Sequence, residues 1–103
     1  MKKNLAFLAA ALAFAATPAL ADPEAAMNKA GCMACHAKDK KLVGPSFKDI
    51  AAKHKGEDAT AKLMEKVRKG GSGVYGPIPM APNGPDKISD ADLKSAVEFI
   101  LKS

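Results

Sequence analysis

The chain is poor in the features that announce most functional classes. In 103 residues it has two cysteines, two histidines, one tyrosine and no tryptophan. Its longest apolar run, Leu5 to Ala16, falls short of the roughly 18 to 20 residues that span a bilayer, so no membrane span is expected. No run alternates β-branched with polar residues, so no strand is proposed. Internal repeats, linkers and any composition shift that would mark a second folded domain are missing too, and the length allows one domain at most. The excess of 16 basic over 11 acidic residues is mild and spread along the chain, which does not point to nucleic acid.

The first 21 residues do not resemble the rest. Lys2 and Lys3 precede the apolar run, and Ala19-Leu20-Ala21 closes it, the pattern of a cleavable secretory signal peptide over residues 1–21. The expected mature domain, residues 22–103, keeps 14 of the 16 basic residues against 11 acidic ones and is exported, with the periplasm as its expected location. A chain this small buries only about 60 to 65% of its unfolded surface, so a cofactor or cross-link is expected to help complete its core.

In an oxidising compartment two cysteines suggest one disulfide. The residue after them argues otherwise. Cys32-Met33-Ala34-Cys35-His36 is a C-x-x-C-H sequence, the pattern of covalent c-type haem attachment, and chance would produce it only about four times in ten thousand. On a helical turn, positions i, i+3 and i+4 share a face, so both thiols and the imidazole can point at one flat macrocycle. A thioredoxin-like dithiol would need a βαβ context, and a zinc site would need further cysteine or histidine ligands beside this cluster.

The second axial position of a haem iron decides between carrier and catalyst. Of the five methionines, Met1 leaves with the leader, Met27 and Met33 lie on or beside the attachment turn, and Met64 sits in an amphipathic run as a core residue. Met80 stands among Pro77, Pro79, Pro82 and Pro85, whose fixed φ and missing N–H donors exclude helix and leave little entropy to lose. A weak iron-thioether bond needs that stiffness, so His36 and Met80 are the expected axial ligands. His54, the other histidine, is expected at a solvated helix end between Lys53 and Lys55. Lys29, Lys38, Lys40 and Lys41 are either ordinary surface or a ring that steers acidic redox partners.

Local signals place four helices. Asp22-Pro23-Glu24 reads as an N-cap, an N1 proline and an early acid. Ser46 caps a helix with Phe47, Ile50, Ala51 and His54 at helical spacing; Ala59, Leu63, Met64 and Val67 mark a third, stopped at Gly70-Gly71. Ser89 caps the last, whose Leu93, Ala96, Val97, Ile100 and Leu101 form a stripe, with Ile88 able to staple to Leu93.

The C-M-A-C-H turn, Val43-Gly44-Pro45, the loop from Gly73 to Met80 and the terminal amphipathic helix together resemble the short bacterial class I cytochromes c, the cytochrome c-551 type. The resemblance implies an all-α fold of about four short helices wrapped around one covalently attached haem c. It further implies a monomeric one-electron carrier, not an enzyme, that docks transiently with donor and acceptor complexes. Cys32 and Cys35 would carry the thioether bonds, His36 and Met80 would ligate iron, and the Pro45 carbonyl would accept a hydrogen bond from the other ring nitrogen of His36. Tyr75 stands where relatives carry a tryptophan for a haem propionate, Lys66 where some carry an arginine, and Asn83 where an asparagine lies beside the methionine sulfur. Two other readings remain: a haem enzyme or gas sensor with a vacant sixth position, and a colourless module closed by a Cys32–Cys35 disulfide.

Overall fold

A computed structural model describes residues 22–103. The expected leader, residues 1–21, lies outside the described residues. The chain forms α1 (Pro23–Ala30), a short 3-10 turn (Cys32–Ala34), α2 (Phe47–Lys53), α3 (Thr60–Lys69) and α4 (Asp90–Leu101). Only two isolated bridges, His36 with Lys41 and Gly71 with Met80, represent extended pairing among the described residues.

Local chemistry fixes three of the four starts. Asp22 Oδ1 accepts from the N–H groups of Glu24 and Ala25 at 3.1 and 3.2 Å, Ser46 Oγ from Asp49 N–H at 3.0 Å, and Ser89 Oγ from Asp92 N–H at 3.1 Å. Each cap satisfies donors that the first helical turn leaves without a carbonyl. Gly31 ends α1 in the left-handed region (φ 87°), its N–H returning to the carbonyls of Asn28 and Met27. That reversal turns the chain from α1 into the cysteine turn.

Helix α4 organises the core, packing against α1, α2 and α3. Its stripe buries Leu93, Ala96 and Val97, which join Met27 of α1, Phe47 of α2 and Ile88 in one cluster. Ile88 and Leu93, on either side of the Ser89 cap, are 4% and 2% exposed, so the apolar staple closes. Small Ala26 and Ala30 of α1 also pack on this cluster. Met64, Leu63 and Val67 cover it from α3.

The solvated helix end expected for His54 does not hold. His54 does not sit in solvent: it is 6% exposed, and its Nδ1 lies 3.2 Å from Glu57 Oε1. Position 54 is seven residues from Phe47, hence on the buried face of α2, and that geometry outweighs the lysines on either side.

Candidate functional site

A cavity of about 770 Å³ opens inside the helical frame, within the size range of small-molecule and cofactor sites. Every residue the sequence suggested for holding the cofactor reaches it, Cys32, Cys35, His36, Pro45, Lys66, Tyr75, Met80 and Asn83 all lining its wall, whereas His54, Lys29, Lys38 and Lys40 do not. Most of the rest of the wall is apolar, including Phe47, Leu63, Val67, Leu93 and Val97.

The first wall is built by the cysteine turn and the chain that folds back on it. His36 N–H bonds to Cys32 carbonyl at 3.1 Å, and Gly44 N–H bonds to Cys35 carbonyl at 2.8 Å, drawing Gly44-Pro45 against the turn. Cys32 is half-buried and Cys35 exposed, and no disulfide joins them. Burial pushes the Cys32 thiol above its ordinary range, and the neighbouring Cys35 adds to the effect.

His36 is held on three sides. Its Nδ1 donates to the Pro45 carbonyl at 2.8 Å, its ring stacks on Phe47 with centroids 5.7 Å apart and planes 24° apart, and Gly44 closes the third side. A Cβ on Gly44 would lie only 2.6 Å from His36 Cε1. Donation from Nδ1 to a carbonyl fixes the tautomer, so Nε2 carries the lone pair. Neither the Phe47 stack nor the Gly44 contact was visible in the motif itself, because both arise when the loop after His36 brings the chain back along the cysteine turn.

The second wall is the proline-rich loop after α3. Gly71 and Met80 exchange both backbone hydrogen bonds, Gly71 N–H to Met80 carbonyl at 3.0 Å and Met80 N–H to Gly71 carbonyl at 2.9 Å. Three residues on, Asn83 N–H bonds to Val67 carbonyl at 2.9 Å, while the Asn83 side-chain amide donates to Ala81 carbonyl at 3.0 Å. The methionine backbone is thus held by polar contacts before and after it. Tyr75, in the same loop, has Lys53 Nζ 5.7 Å above its ring, which ties the loop tip to α2. Partial burial, with Asp49 nearby, raises the Tyr75 hydroxyl above its usual range.

The donor set fits one planar iron macrocycle. Two thiols, an imidazole with a lone pair and a thioether share one apolar cavity, and no group of three or more His, Cys, Asp or Glu that would hold a bare metal ion occurs among the described residues. The mouth is apolar as well, with Val43, Val74, Tyr75 and Ile78 lining the cavity yet between 41% and 59% exposed.

Comparison with known proteins gives the family of the chain. A family model described as Cytochrome c matches residues 20–103. Cytochrome c2 of Rubrivivax gelatinosus is 48% identical over 84 residues, covering 81% of this chain and 99% of that protein. Cytochrome c-551 of Pseudomonas aeruginosa is 44% identical over 81 residues, covering 78% and 75%. The crystal structure of wild-type Nitrosomonas europaea cytochrome c552 superposes with a TM-score of 0.70 at 45% identity, covering 77% of this chain and 96% of that one.

Proposed function

Since the chain belongs to the cytochrome c family, as a short class I member, we propose that it ferries single electrons between periplasmic redox complexes, its haem iron held axially by His36 and Met80. Family membership itself makes it an electron carrier with one covalently attached haem c. The finer reading rests on one observation: His36 and Met80 line the same apolar cavity as Cys32 and Cys35, each held by backbone contacts of its own.

Bound haem supplies an iron that alternates between ferric and ferrous states, accepting and releasing one electron. The chain's residues decide how it does so. Cys32 and Cys35 would hold the haem through thioether bonds, and His36 Nε2 and Met80 sulfur would be its two protein donors to iron, so that a substrate would find no place at the metal. The Pro45 carbonyl orients the imidazole and holds its Nδ1 proton. Thioether sulfur favours the ferrous state, and the apolar wall disfavours the extra positive charge of the ferric one, so the midpoint potential is positive.

Docking follows from the rim. Val43, Val74 and Ile78 offer an exposed apolar lip; Lys29, Lys38, Lys40 and Lys41 are all solvent-facing, and of these Lys41 lines the cavity. This combination supports brief encounters with acidic partners, whose rates fall as salt screens the lysines. Export is supported by the Lys2-Lys3, apolar and Ala19-Leu20-Ala21 pattern of residues 1–21, with Asp22 capping the first helix directly after it. No helix among the described residues is long and apolar enough to cross a membrane.

Met80→Ala tests the ligand set. The variant keeps its covalent haem, its potential falls, and the reduced protein binds carbon monoxide rapidly at neutral pH. An unchanged potential with no gain in carbon monoxide binding would refute Met80 as a ligand.

A further inference from the structure

We infer that Arg68 is a positioning residue for the Met80 loop, its guanidinium locking the far end of that loop to α3. The inference rests on Met80 as an iron ligand. The last turn of α3 carries three basic residues, Lys66, Arg68 and Lys69. Lys69 is a surface group, its side chain 73% exposed and paired with Glu65 one turn back. Arg68 is turned inward, with only 20% of its side chain exposed.

What it touches explains the difference. Nη1 donates to the Asn83 carbonyl at 3.2 Å and to the Ile88 carbonyl at 2.8 Å, while Nη2 reaches Asp90 Oδ1 at 2.5 Å. Val67, the preceding residue, already accepts the Asn83 N–H at 2.9 Å. Two consecutive residues of α3 therefore hold both backbone polar groups of Asn83, just as Gly71 holds both of Met80. The intervening Ala81-Pro82 is short and has one φ fixed by proline, so Met80 sits in a segment pinned at each end.

A lysine would not reproduce this clasp. The guanidinium is a rigid fork that reaches two carbonyls and a carboxylate at once, whereas an ammonium is a single point. Asp90 is 85% exposed, so the ion pair itself is screened, and the two carbonyl contacts are the part that restrains the loop. Such a restraint acts on the sulfur through the equilibrium between a bound and a swung-out Met80. A looser loop gives an external ligand more of the open form to capture.

The test is spectral titration of the ferric holoprotein with imidazole, in wild type, Arg68→Ala, Arg68→Lys, Met80→Ala and Asp22→Ala. The last removes the cap of α1, far along the chain from this loop, and lowers stability without touching it. Arg68→Ala is expected to bind imidazole about tenfold more tightly than wild type, as for loss of a charge-assisted hydrogen bond, with Arg68→Lys between the two and Asp22→Ala at the wild-type value. If Arg68→Ala binds imidazole no more tightly than Asp22→Ala, Arg68 is merely structural and the inference is overturned. Should Arg68→Ala yield no holoprotein, Arg68→Lys decides alone: tighter binding than Asp22→Ala supports the clasp, and equal binding overturns it. A Met80→Ala protein indistinguishable from wild type would instead remove the ligand assignment, and this inference with it.

Discussion

Gly44→Ala adds one methyl group, and the structure says where it must go. The new Cβ would lie 2.6 Å from His36 Cε1, 3.0 Å from Nδ1 and 3.1 Å from Nε2. Restoring ordinary contact requires the ring to retreat by about 0.8 Å, which would stretch the 2.8 Å bond to the Pro45 carbonyl to as much as about 3.6 Å, beyond hydrogen-bonding range. Retreat is also resisted by Phe47, which is 2% exposed and stacked on the imidazole. Overpacking of this kind costs about 1–3 kcal/mol and the lost hydrogen bond about 1 kcal/mol, for a total of about 2–4 kcal/mol. In a domain of this size that lowers the melting temperature by about 10–30 °C. Thermal unfolding of the ferric holoprotein, followed by circular dichroism, measures the loss. Potentiometry should show a raised midpoint, because an imidazole without its carbonyl acceptor is a poorer donor to ferric iron. A Gly44→Ala protein as stable as wild type, with an unchanged Nδ1 proton resonance, would refute the reasoning.

Gly70 occupies φ 70°, ψ −156°, where a side chain is strained, and a Cβ there would run into the Met80 carbonyl and the Pro82 nitrogen. Gly70→Ala should break the Gly71–Met80 bond pair, cost about 2–4 kcal/mol in chemical unfolding, and weaken the sulfur-to-iron charge-transfer band of the ferric spectrum. Leu93→Ala empties the centre of the cluster beneath the cavity and should cost about 2–5 kcal/mol by denaturant titration. The hydrogen bond from His54 holds the Glu57 carboxyl below its ordinary value of 4.5. Because the folded form binds that proton less readily than the unfolded chain, the stabilisation is present above about pH 4.5 and is lost as pH falls through the depressed value. Glu57→Gln should therefore flatten that part of the acid-unfolding profile.

Much of this fold was legible because its signals are local. Asp22, Ser46 and Ser89 cap helices through atoms two or three residues away, and the α4 stripe needs only a period of 3.6. The cofactor chemistry was legible for the same reason, since the thiols and the imidazole lie within five residues. Contacts made across the folded chain were not. Gly44 lies eight residues from His36 and meets its ring only because the loop between them folds the chain back on the cysteine turn. Arg68 reads like Lys66 and Lys69 until residues 83, 88 and 90 fold back on it. His54 is the instructive error: its lysine neighbours suggested solvent, while its spacing from Phe47 and Ile50 already placed it on the buried face. Periodicity was the better guide there than local charge.

The atoms that complete the iron's coordination sphere decide between a carrier and an open haem site. Iron K-edge X-ray absorption of the oxidised protein counts them directly. His36 and Met80 as axial ligands predict a first shell of five nitrogens and one sulfur. A shell of nitrogen and oxygen alone, with no sulfur scattering, would contradict it.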